Sequence, residues 1–164
     1  MASRLWATRA ASFLRISVPH RGFATVLKDL KYSNCHGWVR TEGNLATVGI
    51  TDRAQEHMRE LVHVDLFAYG CQVKQNKAFG AIESLNKSSL IYSPVSGKVV
   101  QVNTKLKKFP RLVNESPYEI GWILKVEMKD SNELNNLMDS DQYSKFCETA
   151  LRPRSFLDRL FNRK

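Results

Sequence analysis

The sequence is poor in the residues that build disulfide frameworks and metal sites. Its three cysteines are an odd number and lie far apart, so they predict neither a disulfide framework nor a zinc site. The four histidines show no metal-ligand spacing either. These seven residues are Cys35, Cys71, Cys147, His20, His36, His57 and His63. A glycine-rich phosphate loop and a nucleophile turn of the G-x-S-x-G type are also absent from the sequence. We therefore predict no metal site and no catalytic residue.

Long apolar runs are missing too, and the positive charge is concentrated at the two ends of the chain. No run approaches the roughly 18 to 20 apolar residues that cross a bilayer, which predicts no transmembrane segment. The formal net charge of +9 would suit a nucleic-acid-binding surface. However, the excess lies in residues 1–25 and 149–164, and the segment between them is nearly neutral. We therefore predict no nucleic-acid partner for the folded part of the chain.

The first acidic residue is Asp29, and the chain before it is rich in Arg, Ser and Ala. This composition is typical of an organellar transit peptide. The stretch "RGFAT" at 21–25 is similar to a mitochondrial processing site, with Arg before the cut and a small residue after it. We predict that residues 1–23 are a mitochondrial transit peptide. A disordered basic arm and a chloroplast address are the alternatives.

Residues 28–128 favour short strands. "GWVRTEGNLATVGIT" alternates around a Glu-Gly-Asn turn and predicts a hairpin. Between 51 and 62 the apolar spacing becomes helical, with Thr51 or Asp52 as the capping residue. From 131 the spacing is helical again. The 164 residues are enough for one domain and a short extension, which we predict to be mainly β with short helices, one early and the others at the C-terminus.

One stretch, "ESLNKSSLIYSPVSGKVVQVN" at 83–103, contains two apolar runs around a tight polar turn. Together with "HGWV", "GNLATVGITDRAQ", "FGAIES", "LVNESPYEIGWILKVEM" and "LMDSDQYSKFCE", it resembles the H protein of the glycine cleavage system, in particular its plant mitochondrial members. These motifs occur in the family's order between about 24 and 148. The resemblance implies a lipoyl-carrier hybrid (barrel-sandwich) of two β-sheets over 28–148, followed by a basic tail at 149–164.

The resemblance also implies a function. An H protein is a non-catalytic carrier of the mitochondrial matrix, with lipoate amide-linked to a lysine at a hairpin tip. The lipoyl arm takes the aminomethyl group of glycine from glycine decarboxylase to an aminomethyltransferase, and dihydrolipoyl dehydrogenase reoxidises it. A long tether on a rigid turn lets one dithiolane visit three sites at high effective concentration.

The family pattern places the attachment lysine directly after Glu-Ser-Val. Here the corresponding residues are Glu83, Ser84 and Leu85, so Asn86 occupies the lysine position. A carboxamide cannot be lipoylated. The next residue, Lys87, is a poor substitute unless the turn slips by one, because neighbouring strand residues point to opposite faces. The alternative interpretation of the Asn-Lys pair is an ordinary polar turn, in which Asn tolerates a left-handed backbone.

The chain is thus a divergent member, and two functions remain open. The first is the H-protein component of the glycine cleavage system, with its carrier activity in doubt. The alternative is a non-lipoylated H-protein-like binding module that docks on the complex. A nucleic-acid- or membrane-binding role of the basic tail is held in reserve as a third.

Other departures from the family concern the backbone. Arg59 and Arg111 occupy positions where members usually have glycine. If those glycines had positive φ, the two arginines would lower stability.

Overall fold

The computed structural model describes residues 25–55, 58–66 and 69–151. The predicted transit peptide and the end of the predicted tail lie outside these ranges. The strands are β1 (Lys31–Tyr32), β2 (Gly37–Glu42), β3 (Leu45–Ile50), β4 (Leu61–Leu66), β5 (Gln72–Val73), β6 (Ala78–Ser84), β7 (Ser88–Tyr92), β8 (Gly97–Val102) and β9 (Leu124–Met128). The helices are α1 (Asp52–Gln55), α2 (Lys105–Lys108), α3 (Leu112–Glu115) and α4 (Ser140–Leu151), with a 3₁₀ helix over Ser131–Asn136.

The strands form two antiparallel sheets. The six-stranded sheet has the order β1-β2-β3-β9-β8-β5, and the three-stranded sheet has the order β4-β6-β7. Apolar alternation decides which face of each strand is buried: in β9, Leu124, Val126 and Met128 are buried while Glu127 is exposed. The predicted class, mainly β with two sheets and short helices, is confirmed.

Side chains from both sheets meet in the larger hydrophobic cluster. Val48 and Val126 contribute from the six-stranded sheet, and Phe79, Ile82 and Val64 contribute from the three-stranded sheet. Because each sheet buries one face against the other, neither sheet is stable without its partner.

A second, aromatic cluster joins the C-terminal helix to the start of the domain. The rings of Tyr32 in β1 and Tyr143 in α4 stack with centroids 4.4 Å apart. The Tyr143 hydroxyl lies 2.8 Å from His36 Nδ1 and 2.9 Å from Thr51 Oγ1. Two main-chain hydrogen bonds of 2.8 Å join Tyr32 and Met138, and they hold the segment just before α4 against β1. α4 therefore closes this end of the domain.

The helix expected over 51–62 is shorter than its apolar spacing suggested. α1 ends at Gln55, and Leu61 and Val62 belong to β4. Leu61 pairs with Ser84 of β6 and is buried in the larger cluster. Sheet pairing and burial therefore outweighed the local helical spacing at the end of this segment.

Arg59 and Arg111, at the two positions where the resemblance implies glycine, differ in backbone conformation. Arg59 has φ of 57°, in the left-handed region, whereas Arg111 has φ of −58°. The Arg111 guanidinium also forms an ion pair with Glu60. A side chain in the left-handed region costs about 1–2 kcal/mol, so the expected penalty applies to Arg59 and not to Arg111.

We predict that Arg59→Gly raises the free energy of unfolding by about 0.5–1 kcal/mol, because glycine adopts φ of 57° without a Cβ clash. Arg111→Gly is the matched control. It should lower stability, because it removes the ion pair with Glu60 and loosens a backbone that any residue can adopt. Urea denaturation of the three proteins measures both effects, and a destabilised Arg59→Gly would contradict the strain at this position.

His36 makes the stability of the aromatic cluster depend on pH. Burial, followed by the positive charge of Arg53, lowers the pKa of His36 below its ordinary value of 6.5. Between the lowered pKa and 6.5 the unfolded chain binds a proton that the folded protein does not. The contribution of neutral His36 to the stability of the folded protein is therefore complete above pH 6.5. It is lost as the pH falls from 6.5 through the lowered pKa of the folded state.

We predict that His36→Asn flattens this acid-side loss of stability. Asn suits the position because His36 has φ of 60°, and Asn tolerates the left-handed region. Unfolding free energies at several values between pH 7.5 and 5 measure the slope. The control is His63→Asn on the exposed side of β4, which makes the same substitution outside the aromatic cluster. An equal slope in the His36 variant would show that other groups cause the loss.

Candidate functional site

The β6–β7 hairpin is the candidate functional site, and its base is held on both sides. β6 pairs with β4 as well as with β7, so it is the central strand of the three-stranded sheet. Ile82 of β6 and Ile91 of β7 are buried in the larger cluster. Glu83, which pairs with Ser88, is exposed at the end of the ladder near the turn. The hairpin is thus anchored in the core and presents its turn to solvent.

Gly80 allows β4 to approach the hairpin closely. A Cβ atom at this position would lie 2.4 Å from the carbonyl oxygen of Asp65 in β4. Contacts of that length do not occur between real Cβ and oxygen atoms, so a side chain here would push the two strands apart. The glycine in the motif "FGAIES" therefore helps to hold the hairpin base against its neighbour.

The turn itself is tight. The Ser84 amide donates to the Lys87 carbonyl at 2.8 Å, and the Ser84 hydroxyl donates to the same oxygen at 3.2 Å. Leu85 and Asn86 lie between these two residues, and the Leu85 side chain is 85% exposed. Asn86 and Lys87 are exposed as well. Leu85 and Asn86 therefore form the tip, and Lys87 lies where the chain re-enters the ladder.

The left-handed backbone expected to suit Asn86 is not found there. Among the described non-glycine residues, positive φ occurs at His36, Arg59 and Asn76. The conformational explanation for an asparagine at the tip is therefore wrong, because the φ of Asn86 is not positive.

The chemistry of the tip can be compared with what lipoate requires. An amide link to lipoate needs a primary amine, and the tip offers an alkyl side chain at Leu85 and a carboxamide at Asn86. The next amine along the chain belongs to Lys87, whose carbonyl accepts hydrogen bonds from the Ser84 amide and hydroxyl. Moving Lys87 to the tip would shift β7 by one residue and turn Ile91 out of the core. The tip therefore does not fit an attached lipoyl group.

Residues distant in sequence support the loop after β7, and the sequence patterns did not reveal them. The Gln75 side-chain amide donates to the carbonyls of Pro94 at 2.9 Å and Glu133 at 3.0 Å. The Glu133 carboxylate accepts the Ser96 amide at 2.5 Å. The 3₁₀ helix is thereby tied to the loop that links the hairpin to β8. No local signal marks Gln75 or Glu133, because these hydrogen bonds join residues 19 to 58 positions apart in the chain.

A cleft of about 500 Å³ lies between α1 and α3, and no hairpin residue lines it. Its lining residues are Asp52, Gln55, Arg59, Glu60, Arg111, Asn114 and Glu115. The cleft contains both acidic and basic side chains. Its buried Gln55 side chain donates to the Val113 carbonyl and accepts from the Asn114 amide group. This cleft points to no particular ligand.

Within the ranges that the structure covers, no three His, Cys, Asp or Glu side chains are grouped as metal ligands would be. No helix in those ranges is long and apolar enough to cross a bilayer.

Comparison with known proteins gives consistent matches. The family described as "Glycine cleavage H-protein" matches residues 30–150. The chain is 60% identical over 150 residues to Glycine cleavage system H protein 2, mitochondrial, of Arabidopsis thaliana, covering 90% of this chain and 96% of that protein. It is 48% identical over 156 residues to the mitochondrial H protein of Flaveria pringlei, with the same coverage.

Among solved structures, the crystal structure of an H protein from Mycobacterium marinum matches with a TM-score of 0.68 and 29% identity. The match covers 77% of this chain and all of that one.

Proposed function

We propose that the hairpin tip of this protein does not carry lipoate. The chain belongs to the glycine cleavage H-protein family and is an H-protein component of the glycine cleavage system. The observation that carries this proposal is Asn86 at the exposed tip of a hairpin whose register is fixed by the buried Ile82 and Ile91. Because a carboxamide nitrogen is a very weak nucleophile, the ligase that attaches lipoate to a lysine finds no amine at this position.

Members of the family carry lipoate and work with the other components of the glycine cleavage system. For this chain we propose docking on those components, glycine decarboxylase, aminomethyltransferase and dihydrolipoyl dehydrogenase, without aminomethyl transfer. The fold shared with a solved H protein and the regular pairing of the hairpin strands support docking. The exposed Leu85 adds an apolar contact at the tip that an enzyme pocket can bury.

The relatives are named mitochondrial, and the chain is a mitochondrial protein. We propose further that it reaches the matrix after loss of residues 1–23, and that residues 28–148 form the carrier-type domain with 149–164 as a basic tail. The acid-free start and "RGFAT" support the first point. α4 extends to Leu151, three residues into the proposed tail.

We predict no mass increase when the protein is incubated with a lipoate-attaching enzyme, lipoate and ATP, and measured by intact mass spectrometry. Asn86→Lys should gain one lipoyl group, because it places an amine at the exposed tip without changing the register. A known H protein with its lysine serves as the positive control for the attaching enzyme.

Lys87→Ala distinguishes the remaining possibility. This substitution in the parent sequence should leave the protein unmodified, as the parent itself is expected to be. Modification of the parent that disappears in Lys87→Ala would instead show that the turn slips by one and that Lys87 carries lipoate. An unmodified Asn86→Lys would show that the tip is not presented correctly, which favours a pure binding module.

We predict that the protein purified from mitochondria begins at or next to Ala24. N-terminal sequencing measures this directly. Replacing Arg21 with Ala should slow or shift the cut, because an arginine shortly before the cut is a feature of mitochondrial processing sites. Recovery of an intact Met1 from the matrix would contradict the proposed transit peptide.

A further inference from the structure

A second cleft, of about 510 Å³, lies between the α2–α3 segment and the start of β4. The apolar residues that line it are Leu61, Val62, Phe109, Pro110 and Leu112. Leu61 is buried, and Leu112 packs against the larger hydrophobic cluster. The floor of the cleft is therefore continuous with the core of the domain.

Two apolar side chains of this cleft are open to solvent. Phe109 is 54% exposed and Val62 is 47% exposed, although both line the same concavity. Single exposed apolar residues are ordinary on a protein surface, but neighbouring ones around a concavity are typical of an interaction site. Aromatic side chains in such positions often carry much of the binding energy. Phe109 and Val62 thus offer apolar area that a side chain of a partner can cover.

The α2 side of the cleft is positively charged. The exposed lysines of α2 are Lys105, Lys107 and Lys108. The segment 104–111, which contains them, has no acidic residue. Its arginine, Arg111, is paired with Glu60, whereas the three lysines form no ion pair with a carboxylate of the described ranges. Their charge is therefore available to a ligand.

The charge and the apolar surface are adjacent. Lys108 lines the cleft itself, and its ammonium nitrogen lies 5.4 Å from the centre of the Phe109 ring. A ligand that covers the ring therefore meets a cation beside it. Carboxylates complement such a rim, because opposite charges across an interface steer the encounter and fix its orientation. The chemistry of this surface fits an apolar side chain flanked by acidic residues.

The basic ends of this chain do not fit the surface. Residues 1–25 carry four arginines and no acid, and residues 149–164 carry five basic residues and one acid. Like charges would oppose either segment at the lysine rim.

A lipid surface fits poorly as well. Phe109 lines a concavity, and Glu115 of α3 lines the same cleft. A flat anionic surface would cover the lysines and Glu115 together, whereas a peptide can stay on the α2 side. The shape and the charges therefore favour a protein partner.

We propose that this cleft is a docking site for an acidic segment of a partner protein. One apolar side chain of the segment enters beside Phe109, and flanking carboxylates pair with the lysines of α2. The inference goes beyond the proposed function, because it does not depend on whether the hairpin tip carries lipoate. Leu61 pairs with Ser84, the residue at which the hairpin turn begins, so a partner held in the cleft is also brought close to the hairpin.

The test uses the full chain, isotope-labelled, and the synthetic peptide Glu-Asp-Glu-Phe-Glu-Asp-Glu with blocked ends. Amide resonances followed by NMR at low salt report where the peptide binds. We expect movement in the segments 60–62 and 108–112, which distinguishes the cleft from the basic ends of the chain. A peptide with Ser in place of Phe should bind more weakly. Unmoved cleft resonances at the highest soluble concentration, or equal binding of the two peptides, would overturn the proposal.

Two variants test the two parts of the site. Phe109→Ser should weaken binding about fivefold or more, because it removes the exposed aromatic area. Lys108→Glu should weaken it about two- to fivefold, as for exposed ion pairs. Lys129→Glu is the matched control, since it makes the same charge change at an exposed lysine outside the cleft. Equal weakening by Lys129→Glu and Lys108→Glu would show that net charge alone attracts the peptide, which would overturn the site.

Two further measurements test other occupants. Binding to vesicles of phosphatidylcholine and phosphatidylglycerol that is lost in Phe109→Ser would overturn the proposal in favour of a membrane surface. Cleft resonances that move on dilution of the protein alone would overturn it in favour of a second copy of this chain. The lipoylation assay measures the hairpin tip, so a failure of this docking site and a failure of the proposed function are distinguishable.

Discussion

The pairing of β6 with both β4 and β7 is the constraint on which the candidate site depends. Ile82 and Ile91 lie in the core between the two sheets, and they hold the two hairpin strands in one register. Side chains alternate between faces along a strand, so this register also determines which residue reaches the tip. The hydrophobic core therefore decides which side chain the hairpin tip presents to solvent.

The change at the tip is separate from the stability of the domain. Asn86 is exposed, and its backbone is outside the left-handed region, so nothing in the fold requires or forbids an asparagine there. By contrast, Arg59 has a strained backbone within a loop that Asn114 holds, through hydrogen bonds to the Arg59 carbonyl and the Leu61 amide. The structure thus combines a tip without an amine at Asn86 with a strained backbone at Arg59, within one domain of two paired sheets.

The two ends of the domain are secured by aromatic side chains. Tyr143 of α4 stacks on Tyr32 and shares its hydroxyl with His36 and Thr51. On the N-terminal side, Tyr118 and Asp52 hold Thr25. Each contact joins residues at least 66 positions apart in the chain, apart from Thr25 and Asp52, which are 27 apart. The aromatic cluster therefore links the first and last described parts of the chain to the six-stranded sheet.

The sequence by itself determined the strands and turns of the mainly β class, because period-two alternation and turn glycines are local signals that burial on one face preserves. Recognition of the family motifs supplied the two-sheet hybrid and the position of Asn86 in the turn, neither of which alternation alone contains. The sequence did not predict that β4 would begin at Leu61, inside a helical spacing, because the pairing of Leu61 with Ser84 is a long-range contact. Nor did it reveal the left-handed φ of Arg59, the ties of Gln75 to Glu133, or the attachment of Thr25 to Asp52. Only the tertiary structure decided these features, because each depends on groups that are distant in the chain and meet only after the sheets have packed.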